Sequence, residues 1–153
     1  MKVEQLGWDE SEVVFDWVMR LLTELGEEGD EVGDLNQPKL LREWKDAGDR
    51  FHVFVAKDED NAIQGILTLT QSFAIYANGN YGIIDEMYVS PAFRSAGIGA
   101  LLIKAAVDYG RGKGWARIDV TAPESDRWSR TRQFYEKEGF VFTGPKLKIL
   151  LNS

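Results

Sequence analysis

Along the chain the spacing of apolar positions changes several times, and each change marks an element. Residues 2–6 fit a short strand. Asp9 and Glu12 then read as a capping box at a helix start. Val14, Trp17, Val18, Leu21, Leu22 and Leu25 follow at helical spacing up to Gly26. A second helix begins at Asn36 with Pro38 in its first turn. It aligns Leu40, Leu41, Trp44 and Ala47 and stops at Gly48. The period then falls to that of strands: 51–56, a polar turn at 57–61, and 62–73. Asn78-Gly79 predicts a hairpin, because both residues tolerate the positive φ of a type I′ turn. The return strand, 81–90, is almost continuously apolar and so is expected at the sheet centre.

After Pro91 the helical period returns, with Ile98, Leu101, Leu102, Ala105, Ala106 and Tyr109 on one face and RGKG (111–114) at the end. A strand is expected at 115–121. Asp126 caps a last helix that runs to Glu138, with Gly139 beyond it. FVF (140–142) and KLKILL (146–151) would close the chain as a hairpin across Thr143-Gly144-Pro145. The order β-α-α-β-β-β-α-β-α-β-β predicts one α/β domain over 1–153, with a mixed central sheet of about six or seven strands flanked by about four helices.

Composition narrows the chemistry. With 44% apolar and 28% charged residues the chain is ordinary globular protein, not a disordered segment or a rod. It has no cysteine, hence no disulfide, thiolate metal site or cysteine nucleophile. Its one histidine, His52, excludes a two-histidine metal site, and its setting in FHVFVA reads as structural. The net charge of −7 argues against a nucleic-acid binder. No stretch has the apolar core of a signal peptide or the length of a membrane span, so a cytoplasmic protein without membrane contact is expected. The acidity is uneven: residues 1–50 carry 14 acidic and 6 basic side chains. The densest run, Glu24 to Asp34, is either a solvated loop or an acidic lip that attracts a cation.

The segment Arg94-Ser95-Ala96-Gly97-Ile98-Gly99-Ala100 stands between the central strand and the best helix. Glycines let a backbone approach a ligand, and free N–H groups at a helix start attract anions. Arg94 adds a cation. The segment lacks the Lys-Ser/Thr of a Walker loop, and Leu102 stands where a dinucleotide fingerprint needs a small residue. An Arg-x-x-Gly-x-Gly/Ala cradle for a pyrophosphate remains, beside the plainer reading of a tight glycine-rich turn.

IDEMYVSPAFRSAGIGALLIKAA, WARIDVTAP and RQFYEKEGF, in this order, resemble the GNAT superfamily of acyl-CoA-dependent N-acetyltransferases over residues 83–142. The resemblance implies two splayed neighbouring parallel strands that admit a pantetheine arm. Backbone groups of Met87, Tyr88 and Val89 would pair with it. N–H groups of Ser95, Ala96, Gly97, Ile98, Gly99 and Ala100 would hold the pyrophosphate of acetyl-CoA, with Arg94 on a phosphate. It makes Tyr135 the general acid that protonates the thiolate, with a core aromatic as the plainer reading, and Phe134 and Phe140 core. For the base, Glu86 is the first choice and Asp85 the second. Neighbours on a strand face opposite ways, so only one would enter the cleft unless a bulge intervenes. An ion-paired carboxylate, or a water chain with no dedicated base, stays open.

The chain departs from the family where an upstream Asn-x-x-Ala is common: Trp128 and Thr131 stand there. Trp128 either lines the cofactor channel or packs. Arg127, Arg130 and Arg132 either touch cofactor phosphates or form a solvated face. The first two helices usually wall the acceptor site, which gives the acidic run a reason to attract a cationic amine, small molecule or peptide. Phe73, Tyr76 and Tyr81 are candidate walls. Direct transfer to a primary amine without a covalent enzyme intermediate, no metal, and a homodimer with KLKILL as a candidate edge complete the expectation. A non-catalytic acyl-CoA-binding module is the alternative.

Overall fold

The computed structural model describes residues 1–27, 35–121, 129–144 and 146–151. The chain divides into two compact units, Met1–Asp119 and Val120–Ser153.

The first unit is built on antiparallel pairing. Strands β1 (Lys2–Leu6), β2 (Phe51–Lys57), β3 (Ile63–Ala74) and β4 (Gly79–Val89) lie side by side in sequence order. A short β5 (Ile118–Val120) reaches the sheet beside β4 after a helical crossover, the connection that parallel neighbours require. The sheet is therefore mixed, with five strands. Helices α1 (Ser11–Glu27) and α2 (Gln37–Ala47) join β1 to β2, α3 (Ile98–Lys113) joins β4 to β5, and α4 (Ser129–Lys137) follows.

Alternation along β3 separates the two faces. Ile66 joins Val53, Val55, Tyr88, Val14 and Trp17 in a core on the α1 side, with Leu21 and Trp44 packed against it. On the other face Gly65 meets Ile98 and Leu102 of α3. Near the far end of that face, the Trp115 indole lies over Gly82 of β4 and Gly110 of α3. A Cβ on Gly110 would stand 2.9 Å from the ring, and one on Gly82 closer still. The Trp115 indole N–H donates to Gln71 Oε1 at 3.0 Å.

Most element positions agree with the sequence pattern, and the differences have local causes. The first cap sits earlier than Asp9: a 3₁₀ turn, Trp8–Glu10, precedes α1, and Glu10 Oε1 accepts the Gly7 N–H at 3.3 Å. Gly26 does not end α1. A glycine stops a helix when it turns to positive φ, as Gly48 and Gly114 do, and Gly26 does not. α2 starts where the pattern placed it, and Asn36 caps it, its Oδ1 accepting the Lys39 N–H at 3.1 Å. Asn78 and Gly79 take positive φ, but in a four-residue loop closed by the pair Ala74–Gly79, so β4 starts two residues early. The buried stripe of α3 is Ile98, Leu102, Ile103, Ala106 and Gly110, with Leu101 exposed. Trp115 turns its ring into the core before the strand begins, and this shortens the expected 115–121 strand to β5.

The expected closing hairpin is absent among the described residues, so the sheet has fewer strands than anticipated. Residues 140–144 and 146–151 form no strand, and Leu147 and Leu151 are 90% and 92% exposed. Apolar runs carry strand propensity, but a strand exists only where a ladder partner meets it. Asp126, the expected cap of the last helix, lies outside the described residues.

Gly82→Ala forces a methyl into the Trp115 ring and is expected to cost about 1–3 kcal/mol, measured as a lower urea midpoint. Gly112→Ala, in α3 with nothing within 4 Å of the new methyl, is expected to stabilise by up to about 1 kcal/mol in the same titration.

Candidate active site

The register of β3 against β4 breaks at one place. Thr68 is opposite Glu86, but Leu69 is opposite Ile84, so Asp85 is an extra residue on β4. This is a β-bulge, and it changes which way side chains point. The Thr68 hydroxyl donates to Glu86 Oε1, and the Thr70 hydroxyl donates to Asp85 Oδ2. Thr68 and Thr70 are two residues apart on a regular strand and share a face. Both carboxylates therefore sit on that face, the one that carries Ile66 and the α1-side core. A regular strand would have sent one of them to the α3 side.

Each carboxylate has a distinct setting. Asp85 is exposed and Glu86 half-buried. Thr68 is 1% exposed and makes a second hydrogen bond to Glu86, accepting its backbone N–H at 3.0 Å. The choice between Asp85 and Glu86 for the cleft thus has a different form from the one alternation suggested, since both reach one face. The next residues, Met87, Tyr88 and Val89, pair on the β3 side with Leu67, Ile66 and Gly65. On the other side β5 meets β4 near its start, where the Gly82 N–H donates to the Arg117 carbonyl at 3.1 Å, well before Met87.

β4 leads into the glycine-containing turn. After a 3₁₀ turn at Pro91–Phe93, Ser95 (φ 71°) and Gly97 (φ 83°) take left-handed conformations and α3 begins at Ile98. No side chain caps this helix. The N–H groups of its first turn, Ile98, Gly99 and Ala100, have no acceptor within the helix. Ser95, Ala96 and Gly97 are exposed, while the Ile98 side chain is buried in the core, so Ile98 can offer a ligand only its backbone. A Cβ on Gly97 would meet nothing within 4 Å. The Ala96 N–H donates to the Phe93 carbonyl at 3.3 Å, so what the turn offers an anion is the first-turn N–H groups of α3 and the helix-dipole charge.

Arg94 is already engaged. Its Nη1 and Nη2 each lie 2.9 Å from a carboxylate oxygen of Glu24, its Nε donates to the Val89 carbonyl at 3.1 Å, and its guanidinium lies 5.3 Å from the Tyr88 ring centre. Glu24 opens the acidic run, whose residues 28–34 lie outside the described residues. The ion pair ties the end of α1 to the turn before α3, a link that no periodicity in the sequence announces.

Of the expected acceptor walls, Phe73 and Tyr76 are exposed and Tyr81 is buried. Their cation is internal: Arg117 lies 5.0 Å from the Tyr76 ring and 6.0 Å from Tyr81, and pairs with both Asp119 oxygens at 2.7 and 2.9 Å. His52 is structural, as expected. Its Nδ1 accepts from the Gln5 amide at 3.1 Å and its Nε2–H donates to the Asp49 carbonyl at 2.6 Å, which fixes a neutral ring. The Tyr109 hydroxyl lies 2.7 Å from the same Nε2, and burial lowers the histidine's pKa.

In the second unit, Tyr135 is 6% exposed between the edges of Phe134 and Phe140, with ring centres 5.4 and 5.6 Å away. Burial pushes its hydroxyl up to about 12, so the phenol keeps its proton at neutral pH, the form a general acid requires. Arg132 is exposed, paired with Glu136 at 3.1 Å and 4.5 Å from the Phe142 ring centre; Arg130 is exposed as well. Arg127 and Trp128 lie outside the described residues. Among the described residues no group of three or more His, Cys, Asp or Glu could hold a metal ion. No helix among them is long and apolar enough to cross a membrane.

Comparison with known proteins gives this geometry a context. A family model for the acetyltransferase (GNAT) domain matches residues 49–142. An uncharacterized N-acetyltransferase of Archaeoglobus fulgidus is 35% identical over 66 residues, which are 43% of this chain and 45% of that protein. The chain thus spans less than half the length of the curated relative it matches. Among solved structures, a predicted acetyltransferase with acetyl-CoA from Clostridium acetobutylicum superposes with a TM-score of 0.77 at 20% identity, covering 98% of this chain and 96% of that one. An aminoglycoside acetyltransferase from an uncultured soil metagenomic sample gives a TM-score of 0.76 at 22% identity, covering 99% and 95%. The glucosamine-6-phosphate N-acetyltransferase of Arabidopsis thaliana gives 0.71 at 18% identity, covering 99% and 98%.

The Tyr135 shift has a consequence for stability. The folded value lies above the ordinary 10, so above pH 10 the unfolded chain loses a proton that the folded chain keeps. The contribution is complete below pH 10 and is lost as the pH rises toward 12. Urea titrations of wild type and Tyr135→Phe near pH 8 and near pH 12 should show wild type losing roughly 2–3 kcal/mol more than the variant. Equal losses would mean that the phenol is not held in an apolar site.

Proposed function

The chain belongs to the GNAT acetyltransferase family, and on that premise we propose that it moves an acetyl group from acetyl-CoA to a primary amine by direct attack. The observation that carries this reading is the bulge. It puts two carboxylates on one face of the strand whose next residues, Met87 to Val89, lead straight into the open turn before α3.

The turn fits a pyrophosphate. It has open space at Gly97, uncapped N–H groups in the first turn of α3, and an arginine at its start. In this reading Ser95 to Ala100 hold the diphosphate through backbone N–H groups, and Arg94 turns to a phosphate. Backbone groups of Met87, Tyr88 and Val89 pair with the pantetheine amides. When bound, the thioester supplies an activated acetyl group. Glu86 would take one proton from the incoming ammonium, with Asp85 the second carboxylate at hand; the free amine would attack the thioester carbonyl carbon as the C–S bond breaks, Tyr135 would give its proton to the departing thiolate, and the nitrogen proton lost as the amide forms would restore the phenol. The proposal treats residues 1–153 as one transferase domain, since the family match runs across the boundary between the two compact units. It takes the acceptor to be cationic, on the strength of the acidic first third. A cytoplasmic homodimer is the expected setting.

A thiol-release assay with acetyl-CoA and a panel of amines (polyamines, aminoglycosides, lysine analogues, short peptides) tests the reading. Acceptor-dependent release of CoA is expected. Acetyl-CoA binding without release over the whole panel would favour a non-catalytic binding module, and no binding at all would remove the central claim. Gly97→Asp has room for its side chain, but puts a negative charge where the diphosphate would lie. It should weaken acetyl-CoA binding by calorimetry at least tenfold while the circular dichroism spectrum stays unchanged. Glu24→Gln frees Arg94 from a half-exposed pair worth about 0.5–1 kcal/mol, so acetyl-CoA should bind about two- to fivefold tighter.

A further inference from the structure

The Thr68 hydroxyl makes two hydrogen bonds, and both go to the same residue. It accepts the backbone N–H of Glu86 at 3.0 Å and donates to Glu86 Oε1. Thr68 is also the fully buried polar side chain of the β3–β4 face, 1% exposed among Val53, Val55 and Ile66. A bulge interrupts the ladder and leaves backbone groups in need of partners. The threonine meets that need and passes a hydrogen bond on to the carboxylate. The hydroxyl thus couples the side-chain orientation of Glu86 to the backbone kink that brings Glu86 to this face.

We propose that Thr68 is a positioning residue for acetyl transfer: its hydroxyl locks the Glu86 carboxylate in the orientation from which it accepts the proton of the acceptor ammonium. This rests on Glu86 being the base. A β-branched residue suits the task, because its χ1 is stiff and a strand neighbour holds it in place. Thr70, half-buried, donates to Asp85 Oδ2 and so ties the exposed carboxylate.

A base that acts on the ammonium matters most when the acceptor arrives with the extra proton that must leave before attack. The test compares wild type, Thr68→Ser, Thr68→Val, Thr70→Val and Glu86→Gln in the thiol-release assay. Two acceptors of equal chain length are used: a primary alkylamine, which is an ammonium at pH 7, and an alkoxyamine, which is already neutral there. Thr68→Val should lower kcat for the alkylamine roughly 10- to 100-fold and leave the KM for acetyl-CoA within about twofold. The loss should largely vanish with the alkoxyamine, and Thr68→Ser should restore kcat to within about threefold of wild type. Glu86→Gln should show the same amine dependence with a larger loss.

Equal slowing of both acceptors by Thr68→Val, or failure of serine to rescue, would reduce Thr68 to a packing role. Wild-type kcat in Thr68→Val beside a slow Glu86→Gln would overturn this inference alone. A silent Glu86→Gln, or a collapse with Thr70→Val in place of Thr68→Val, would overturn the assignment of Glu86 and this inference with it. No turnover by wild type with any amine would overturn the transferase reading itself.

Discussion

At Gly65 the backbone of β3 has no side chain, and Ile98 and Leu102 of α3 fill the space that one would take. A Cβ there would stand 2.8 Å from Ile98 Cγ2 and 3.2 Å from Leu102 Cδ1. Gly65 is the partner of Val89, the last residue of β4. The contact therefore pins the first turn of α3 over the end of β4 and leaves little freedom for the residues between them. The turn must climb from Val89 to Ile98 over a short distance, and it does so through left-handed Ser95 and Gly97. Packing at one glycine thus sets where the open N–H groups of α3 lie relative to Met87–Val89. A larger residue at position 65 would lift the helix and displace the anion-binding features without touching any of them.

The bulge is the second constraint, and it works through parity. Tyr88 faces α1 and packs against Trp17, with ring centres 6.1 Å apart. Counting back by alternation, Glu86 shares that face, and Ile84 would follow. Instead Ile84 is buried opposite Leu69 on the α3 face, and Gly82 beneath it receives Trp115. The extra residue lets β4 satisfy two cores of opposite parity, with Asp85 absorbed at the crossing. That two carboxylates emerge together is a by-product of the packing on either side. Thr68 and Thr70, both on the α1 side of β3, are placed to receive them.

Much of this was legible in the chain. Helical periods located α1, α2 and α3, and the run from Arg94 to Ala100 advertised a backbone cradle. The resemblance carried the family, and the match over 49–142 bears it out. What the pattern missed was tertiary. The stripe of α3 turned away from Leu101 because Gly65 and Gly110 admit the helix at their own positions. The strand expected from Trp115 began three residues later because the indole had a cavity to fill over two glycines. KLKILL read as a strand on propensity, and propensity says nothing about a partner. Alternation alone separates Asp85 from Glu86, and only the register against β3 reveals that they share a face. Tyr135, by contrast, was named from a motif and turned out to be buried among the aromatics on either side of it.

The ion pair between Arg94 and Glu24 links the two halves of the proposed reaction by charge. Glu24 stands in the last turn of α1 and starts the acidic run, and Arg94 starts the glycine-containing turn before α3. Under the proposed function a diphosphate would compete with Glu24 for the same guanidinium and, on binding, would return one carboxylate to the acidic side. The field that would attract a cationic acceptor would then grow in the step that loads the acyl donor. Because linkage is reciprocal, a cation held by the acidic run would weaken the hold of Glu24 on Arg94 and favour the donor by the same factor. The pair is half-exposed and worth no more than about 1 kcal/mol, so the coupling is bounded at roughly fivefold. In the proposed reaction that would be enough to bias the order in which substrates arrive, and too little to close the site to either.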